Sequence, residues 1–135
     1  MTYDLPDCIQ IEADGPVRIV RLNRPEQLNA TNHRLHQGLA ELFPQVDADA
    51  EAQVVVLTGK GRAFSAGGDF GYIDELVRDP VRRKESLTHG KQIVTGMAAS
   101  RAARVTAKSA VLRPLPGPPT TTRCPSRGGD HARIS

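Results

Sequence analysis

The sequence predicts an α/β domain over residues 1–100, followed by a tail of different composition over residues 101–135. Two short segments near the N-terminus alternate apolar and polar residues, which is typical of paired strands. A stripe of apolar residues at helical spacing follows, and then a valine run, Val54–Val56, typical of a buried strand. With 39% hydrophobic and 24% charged residues in a chain of 135, the composition suits a soluble globular domain.

The first two strands form a predicted hairpin. Cys8–Ala13 and Val17–Asn23 both alternate, and Asp14-Gly15-Pro16 between them favours a turn. Arg24-Pro25 ends the second strand, because proline lacks an N–H and restricts the residue before it. We expect the core side of this strand to carry Val17, Ile19 or Val20, and Leu22.

A helix is predicted next, with Thr31 or Asn32 as its N-cap. Pro44 is expected to kink this helix or to end it early. A short acidic connection then leads to the buried strand Gln53–Leu57. The apolar stripe of the helix comprises Leu35, Leu39, Leu42 or Phe43, and Val46.

Two more helices complete the predicted order β-β-α-β-α-α. Phe70–Val77 forms a short helix that carries Ile73, Leu76 and Val77. Asp79-Pro80 is a favourable pair of N-cap and first helical residue. The helix that it starts runs to about Ala98, with Leu87, Val94 and Met97 on one side.

The charge of the chain is unevenly distributed. Residues 1–100 hold 11 Lys+Arg and 14 Asp+Glu (net −3), whereas residues 101–135 hold 7 and 1 (net +6). The tail contains five of the ten prolines, six arginines and no glutamate, so we expect it to be mostly disordered. A regulated basic tail, a frameshifted coding sequence and a nucleic-acid-binding tail are alternative explanations. We expect no nucleic-acid partner for the main body.

Cysteine and histidine placement gives no sign of a metal site. Cys8 and Cys124 form no CxxC pattern, which fits a reducing compartment. His33 and His36 could share a helix face, but the sequence shows no third ligand at a suitable spacing. The N-terminus is acidic, and no apolar run approaches the ~20 residues of a membrane span. We therefore predict no metal, no membrane partner and a cytoplasmic location.

The segment Leu57–Phe70, LTGKGRAFSAGGDF, contains the candidate site. The valine strand ends at Thr58-Gly59, and the chain then passes through Ala66–Asp69, which we call the glycine turn. Two adjacent glycines leave the backbone open to a ligand and permit positive φ. Such a turn can direct N–H donors at an anion or at a polarised carbonyl, an arrangement called an oxyanion hole.

Three segments in this order and spacing resemble the enoyl-CoA hydratase/isomerase (crotonase) family: Val20–Ala30 (VRLNRPEQLNA), Val54–Gly59 (VVVLTG) and Ala63–Phe70 (AFSAGGDF). The resemblance runs from about Ile9 to about Met97. It implies the N-terminal portion of the crotonase-like ββα spiral, incomplete here and followed by the tail. It also implies an acyl-CoA thioester as substrate, with coenzyme A entering as part of that substrate and no separate cofactor.

The resemblance also assigns roles to residues by position. Ala66 corresponds to the backbone N–H that holds the thioester oxygen in the oxyanion hole. Two further sets are implied: the coenzyme A arm, with Glu26, Gln27, Leu28 and Ala30, and the substrate-binding turn, with Ala66, Gly67, Gly68 and Asp69.

Departures from the family pattern bear on activity. Val105–Leu112 only faintly matches the strand before the family's second oxyanion donor, and no matching glycine follows. The family's catalytic glutamates lie further along its chain, whereas this sequence has no glutamate after Glu85. We predict an enoyl-CoA hydratase/isomerase-type protein that is truncated and catalytically impaired. The alternative is a non-catalytic coenzyme A-binding remnant or interaction module. The family forms trimers and hexamers, and the surface for this is expected to be missing.

Overall fold

The computed structural model describes residues 2–102 and the backbone of residues 105–107. These residues form one sheet in the order β1-β2-β3-β4, with the helices between β2 and β3 and between β3 and β4. The strands are β1 (Ile9–Asp14), β2 (Val17–Leu22), β3 (Val54–Gly59) and β4 (Val105–Ala107). The helices are α1 (His33–Ala48), α2 (Phe70–Arg78) and α3 (Pro80–Ala99), and a short 3-10 helix spans Pro25–Gln27.

The hairpin predicted from the sequence is confirmed. β1 and β2 pair antiparallel with Ile9 opposite Leu22, and Gly15 in the turn has φ of +52°. β2 pairs parallel with β3, and α1 makes the crossover that a parallel connection requires. The carboxyl ends of β2 and β3 therefore lie side by side, with Leu22 opposite Gly59. The segments after these two ends build the candidate site.

The core side of β2 differs from the prediction. Val20 and Leu22 are buried as expected, but Val17 and Ile19 are only half-buried, and the third buried residue is Arg18, at 3% exposure. Alternation puts Arg18 on the same face as Val20 and Leu22. This position accepts a charge because the Arg18 Nε lies 2.7 Å from Asp49 Oδ2, in an ion pair buried on both sides.

Helix α1 packs its apolar stripe into the core. Asn32 is the N-cap, and its side chain accepts a hydrogen bond from the Leu35 N–H at 2.9 Å. The prediction that Pro44 ends the helix early is wrong, since α1 continues through it to Ala48. Pro44 is exposed, while buried residues on both sides of it hold the helix in place. The main buried residues of the core are Val20, Leu35, Leu42, Phe43, Val46 and Val55.

Helices α2 and α3 begin at aspartate caps. Asp69 accepts a hydrogen bond from the Gly71 N–H, and Asp79 accepts from Val81 and Arg82, as the Asp79-Pro80 pair predicted. Tyr72 is the buried residue of α2, whereas α3 has none. Large apolar side chains on these helices are exposed: Phe70, Ile73, Val77, Val81, Leu87, Val94 and Met97.

The sheet extends past residue 100, the boundary that the change in composition predicts. Ala102 is buried against the core, and β4 pairs parallel with β3, Val55 standing opposite Val105. The predicted disorder of the remaining tail concerns residues 103–104 and 108–135, which lie outside the described part. Among the residues that are described, no helix combines the length and the apolar character needed to cross a lipid bilayer.

Candidate functional site

The segment after β2 has an unusual backbone. The 3-10 helix Pro25–Gln27 is followed by Leu28 and Asn29, both in the left-handed region, with φ of +52° and +55°. A left-handed conformation costs an L-residue about 1–2 kcal/mol, and asparagine tolerates it better than leucine does. Two such residues in succession mark a segment that its surroundings hold firmly, and this is common at binding sites.

Asn29 joins this segment to the loop after β3. Its side chain is fully buried, and its Nδ2 donates hydrogen bonds to the carbonyl oxygens of Lys60 (2.9 Å) and Ala63 (2.8 Å). Its Oδ1 accepts from the Arg24 N–H at 2.9 Å. All of these contacts are internal to the protein, so Asn29 fixes the shape of the site rather than contacting a ligand.

Four further hydrogen bonds fasten the glycine turn to residues 28–31. Ala66 N–H donates to the Leu28 carbonyl at 2.9 Å, and Thr31 N–H donates to the Gly67 carbonyl at 2.7 Å. Asp69 N–H donates to the Thr31 carbonyl at 2.9 Å. The Ser65 hydroxyl donates to the Asn29 carbonyl at 2.9 Å. The two segments therefore behave as one rigid unit, although they lie far apart in the sequence.

One N–H of this unit has no acceptor among residues 2–102 and 105–107. The Ala66 N–H donates to the Leu28 carbonyl, and the Gly67 N–H donates to Ser65 Oγ at 3.1 Å. In the described part of the chain the Gly68 N–H has no hydrogen-bond partner, and the residue is exposed. The resemblance assigns the donor role to Ala66, but the hydrogen-bond pattern favours Gly68. An exposed N–H on a fixed backbone is a donor available to a ligand oxygen.

Arg24 and Asp69 bring opposite charges to the edge of the unit. Arg24 Nη2 lies 3.2 Å from Asp69 Oδ2, and the guanidinium also donates to Gln27 Oε1 and to the Ala30 carbonyl. The hydrogen bond from Arg24 is the main reason that the pKa of Asp69 is lowered, and the Gly71 N–H contributes. Asp69 is therefore a carboxylate at neutral pH, and it caps α2 rather than acting as a proton donor.

The predicted site residues all belong to the two segments that these hydrogen bonds join. The 3-10 helix carries Glu26 and Gln27, both exposed, while Leu28 and Ala30 are half-buried beside the glycine turn. In the glycine turn, Gly67 has φ of +96°, a conformation that glycine adopts readily. No group of three or more His, Cys, Asp or Glu within the described residues is arranged to hold a metal ion.

Comparison with known proteins agrees with this geometry. The family model described as enoyl-CoA hydratase/isomerase matches residues 17–103, which include both halves of the site. The chain belongs to the enoyl-CoA hydratase/isomerase family. The matched residues begin at β2 and extend beyond α3, so the family pattern covers the fold as well as the two site segments.

Relatives in this family carry different reaction names. The chain is 43% identical over 76 residues to "Probable 3-hydroxyisobutyryl-CoA hydrolase 2" of Arabidopsis thaliana, covering 56% of this chain and 19% of that protein. It is 32% identical over 79 residues to "Probable enoyl-CoA hydratase 1, peroxisomal" of the same plant, covering 58% of this chain and 30% of the relative. The chain therefore spans less than a third of the length of either curated relative.

A solved structure confirms the crotonase-type fold. An enoyl-CoA hydratase/isomerase from Mycobacterium paratuberculosis is 48% identical, with a TM-score of 0.77, over 80% of this chain and 43% of that chain. An enoyl-CoA hydratase/isomerase family protein from Hyphomonas neptunium matches with a TM-score of 0.69 at 21% identity, which supports the fold alone.

Sequence reasoning missed three positions that shape the site. Asn29, Arg24 and Ser65 all form hydrogen bonds between residues 24–31 and the loop after β3. A left-handed backbone favours asparagine, so Asn29 within LNA carried a weak signal. No local pattern indicates the roles of Arg24 and Ser65, because their partners are more than thirty residues away.

Proposed function

We propose that this chain binds an acyl-coenzyme A thioester, with the Gly68 N–H donating to the thioester oxygen. The Gly68 N–H, on a rigid turn and without an acceptor in the part of the chain that the structure describes, is the observation that carries this proposal. Addition of water to an α,β-unsaturated thioester passes through an enolate-like species with negative charge on that oxygen. A preorganised donor stabilises this charge more than it stabilises the neutral carbonyl, and is worth roughly 10²–10³ in rate.

The rest of the ligand is proposed to follow residues 26–30. Glu26 and Gln27 are exposed, the half-buried Leu28 accepts a hydrogen bond from the glycine turn, and the half-buried Ala30 directly precedes Thr31, which also bonds to the turn. The coenzyme A arm would lie along this backbone, leaving its thioester end beside Gly68. The shared element in the names of the two relatives is a coenzyme A thioester, which supports the class of ligand.

Hydration is the first reaction to test. The relatives are named for hydrolysis in one case and for hydration in the other, while the matching family model covers hydration and isomerisation. All of these reactions place negative charge on a thioester oxygen. A site for the thioester oxygen therefore serves all of these reactions, and a separate measurement must identify which reaction the chain catalyses.

A second candidate is binding without turnover. The bond from the Ala66 N–H to Leu28 removes that group from the donors available to a ligand. In addition, the sequence has no glutamate after Glu85. Under this candidate the chain binds an enoyl thioester without measurable hydration, because it lacks general acid–base catalysis, which contributes typically 10²–10⁴-fold.

Two variants of one residue test the oxygen site. Gly68→Pro removes the N–H, whereas Gly68→Ala keeps it and adds a methyl that meets the flexible side chain of Ile73 at 3.1 Å. Binding of coenzyme A and of crotonyl-CoA is measured by calorimetry, and hydration of crotonyl-CoA is followed at the enoyl absorbance. Gly68→Pro should weaken crotonyl-CoA binding by about 10-fold, the effect of ~1.4 kcal/mol, and should leave coenzyme A binding unchanged.

Other outcomes decide between the candidates. Equal binding of crotonyl-CoA by the proline and alanine variants would show that the Gly68 N–H does not bind the thioester oxygen. Coenzyme A binding without measurable hydration favours the binding module, and hydration well above background favours the enzyme. If neither ligand binds to a folded protein, both candidates fail.

A further inference from the structure

Three histidines from two helices meet beside α2. We call His33 and His36 of α1 and His89 of α3 the histidine cluster. The ring centroid of His89 lies 5.8 Å from that of His33 and 5.9 Å from that of His36. Tyr72, the buried residue of α2, lies 6.1 Å from both rings of α1. The cluster is thus the place where α1, α2 and α3 come together.

The hydrogen bond between Arg82 and His33 requires a neutral His33 ring. Arg82 Nη1 lies 3.0 Å from His33 Nε2, and a guanidinium can only donate, so Nε2 must accept. The proton of the neutral His33 ring is then on Nδ1. This Nδ1 and that of His89 are buried without a hydrogen-bond partner in the described residues. Protonation of His33 would set an N–H against the N–H of Arg82.

The neighbouring charges do not compensate a protonated ring. On α3, Arg82 pairs with Glu85 at 3.4 Å, and Lys91 lines the same cleft as His36. On α2, the facing group is the Tyr72 hydroxyl, 3.3 Å from His36 Nδ1. Within residues 2–102, none of the three rings forms an ion pair with a carboxylate. Burial, followed by the charges of His89 and His33, lowers the pKa of His36.

Helix α3 packs along α1, and the histidine cluster forms one part of that contact. Helix α3 has no buried side chain of its own. Its backbone approaches α1 at two glycines: an added Cβ would lie 3.8 Å from His36 at Gly90 and 3.0 Å from Phe43 at Gly96. A repulsion placed at His36 and His89 would therefore act on one of the main contacts between these helices.

We propose that the histidine cluster is an acid-sensitive latch that releases α3, and with it α2, from α1. At neutral pH the three uncharged rings pack against one another and against Tyr72. In acid, protons on His89 and on a histidine of α1 place like charges about 6 Å apart across the two helices, a proton on His33 also faces Arg82, and the helices separate. The released state binds a proton at His36 more readily than the packed state does, so acid favours release as pH falls below about 6.5.

Amide hydrogen exchange on the full chain tests the latch, with rates corrected for the effect of pH on intrinsic exchange. Exchange of residues 80–99 should rise relative to that of β2 as pH falls, by up to about 10-fold per pH unit for each linked proton. The variant with His33, His36 and His89 all changed to Gln should lose this dependence. The fourth histidine, His131, provides the matched control, and His131→Gln should keep it.

Two results would overturn the latch: exchange of residues 80–99 that is independent of pH in the parent, or acid-dependent exchange that persists in the triple variant. A second measurement covers the case in which the triple variant does not fold. Titration of the imidazole signals of the parent by NMR should give His36 a midpoint below about 6.5. A midpoint at or above that value contradicts the proposal. None of these measurements requires the acyl-CoA function.

Discussion

The side chain of Asn29 occupies the space beside Gly59. A Cβ added to Gly59 would lie 2.6 Å from Asn29 Nδ2, closer than non-bonded atoms approach. The same nitrogen donates to Lys60 and Ala63, the residues that follow Gly59 into the loop. Glycine at the end of β3 and asparagine after the 3-10 helix thus depend on each other, and together they fix the loop that precedes the glycine turn.

The substitution Gly59→Ala should distort this loop. Its Cβ would stand 2.2 Å from the Ala63 carbonyl oxygen and 2.5 Å from that of Phe64, and backbone atoms cannot move aside as a flexible side chain does. We expect a loss of about 1–3 kcal/mol in the free energy of unfolding, measured by urea denaturation.

Gly90→Ala is the matched control for this loss. An added Cβ there makes ordinary contact with His36 at 3.8 Å, and Gly90 lies inside α3. Alanine is the better helix former by about 1 kcal/mol, so this variant should be as stable as the parent or more stable. Equal stability of the Gly59→Ala variant and the parent would show that the loop yields easily.

Asn29 contributes to stability through its side-chain hydrogen bonds and through its tolerance of a left-handed backbone, and two substitutions distinguish these contributions. Asn29→Gly keeps the left-handed backbone without strain but removes both donors, leaving two carbonyl oxygens without this partner. We expect it to lose about 1–3 kcal/mol in the free energy of unfolding. Asn29→Ala should lose about 1–2 kcal/mol more, because alanine is strained at φ of +55°. If the two variants unfold at the same urea concentration, the backbone at residue 29 relaxes in the alanine variant, and the predicted strain is wrong.

The ion pair between Arg18 and Asp49 should make stability depend on pH in acid. Hydrogen bonds from Arg18 and then from Tyr3 lower the pKa of Asp49. The folded protein binds fewer protons here than the unfolded chain does, so this stabilisation is complete above about pH 4 and is lost as pH falls further. Asp49→Asn should be less stable than the parent at pH 7 and should show a weaker loss of melting temperature below about pH 4.

Tyr3→Phe provides the comparison for this pair. It removes the hydroxyl that donates to Asp49 Oδ2 but leaves the bond from Arg18 Nε in place. This variant should keep most of the acid dependence, because the hydrogen bond from Arg18 is the larger cause of the lowered pKa. An Asp49→Asn protein with the acid dependence of the parent would assign that dependence to other carboxylates.

Phe43 is expected to control the attachment of α3 at its C-terminal end. Its side chain is 1% exposed and lies where a Cβ on Gly96 would be 3.0 Å from it. Phe43→Ala should cost about 3–5 kcal/mol in the free energy of unfolding, and should raise amide exchange in α3 at neutral pH. Leu87→Ala is the control, because Leu87 is 71% exposed and a surface change should stay within about 0.5 kcal/mol.

Local patterns in the sequence predicted most of the secondary structure. The alternation in β1 and β2, the Asn32 cap and the Asp79-Pro80 start of α3 all involve residues within a few positions of each other. Pro44 was predicted to end or kink α1 because its intrinsic preference disfavours a helix interior. The buried neighbours Leu42, Phe43 and Val46 override that preference through tertiary packing.

The sequence by itself determined the order of the elements, the position of the glycine turn and the resemblance to the family. These follow from periodicity, capping and turn chemistry, which act over short distances along the chain. Only the tertiary structure decided that Arg18 is buried, that Ala66 donates to Leu28 while the Gly68 N–H finds no acceptor among the described residues, and that His89 joins His33 and His36. Each of these depends on hydrogen bonds or packing between segments about thirty or more residues apart, which no local pattern encodes.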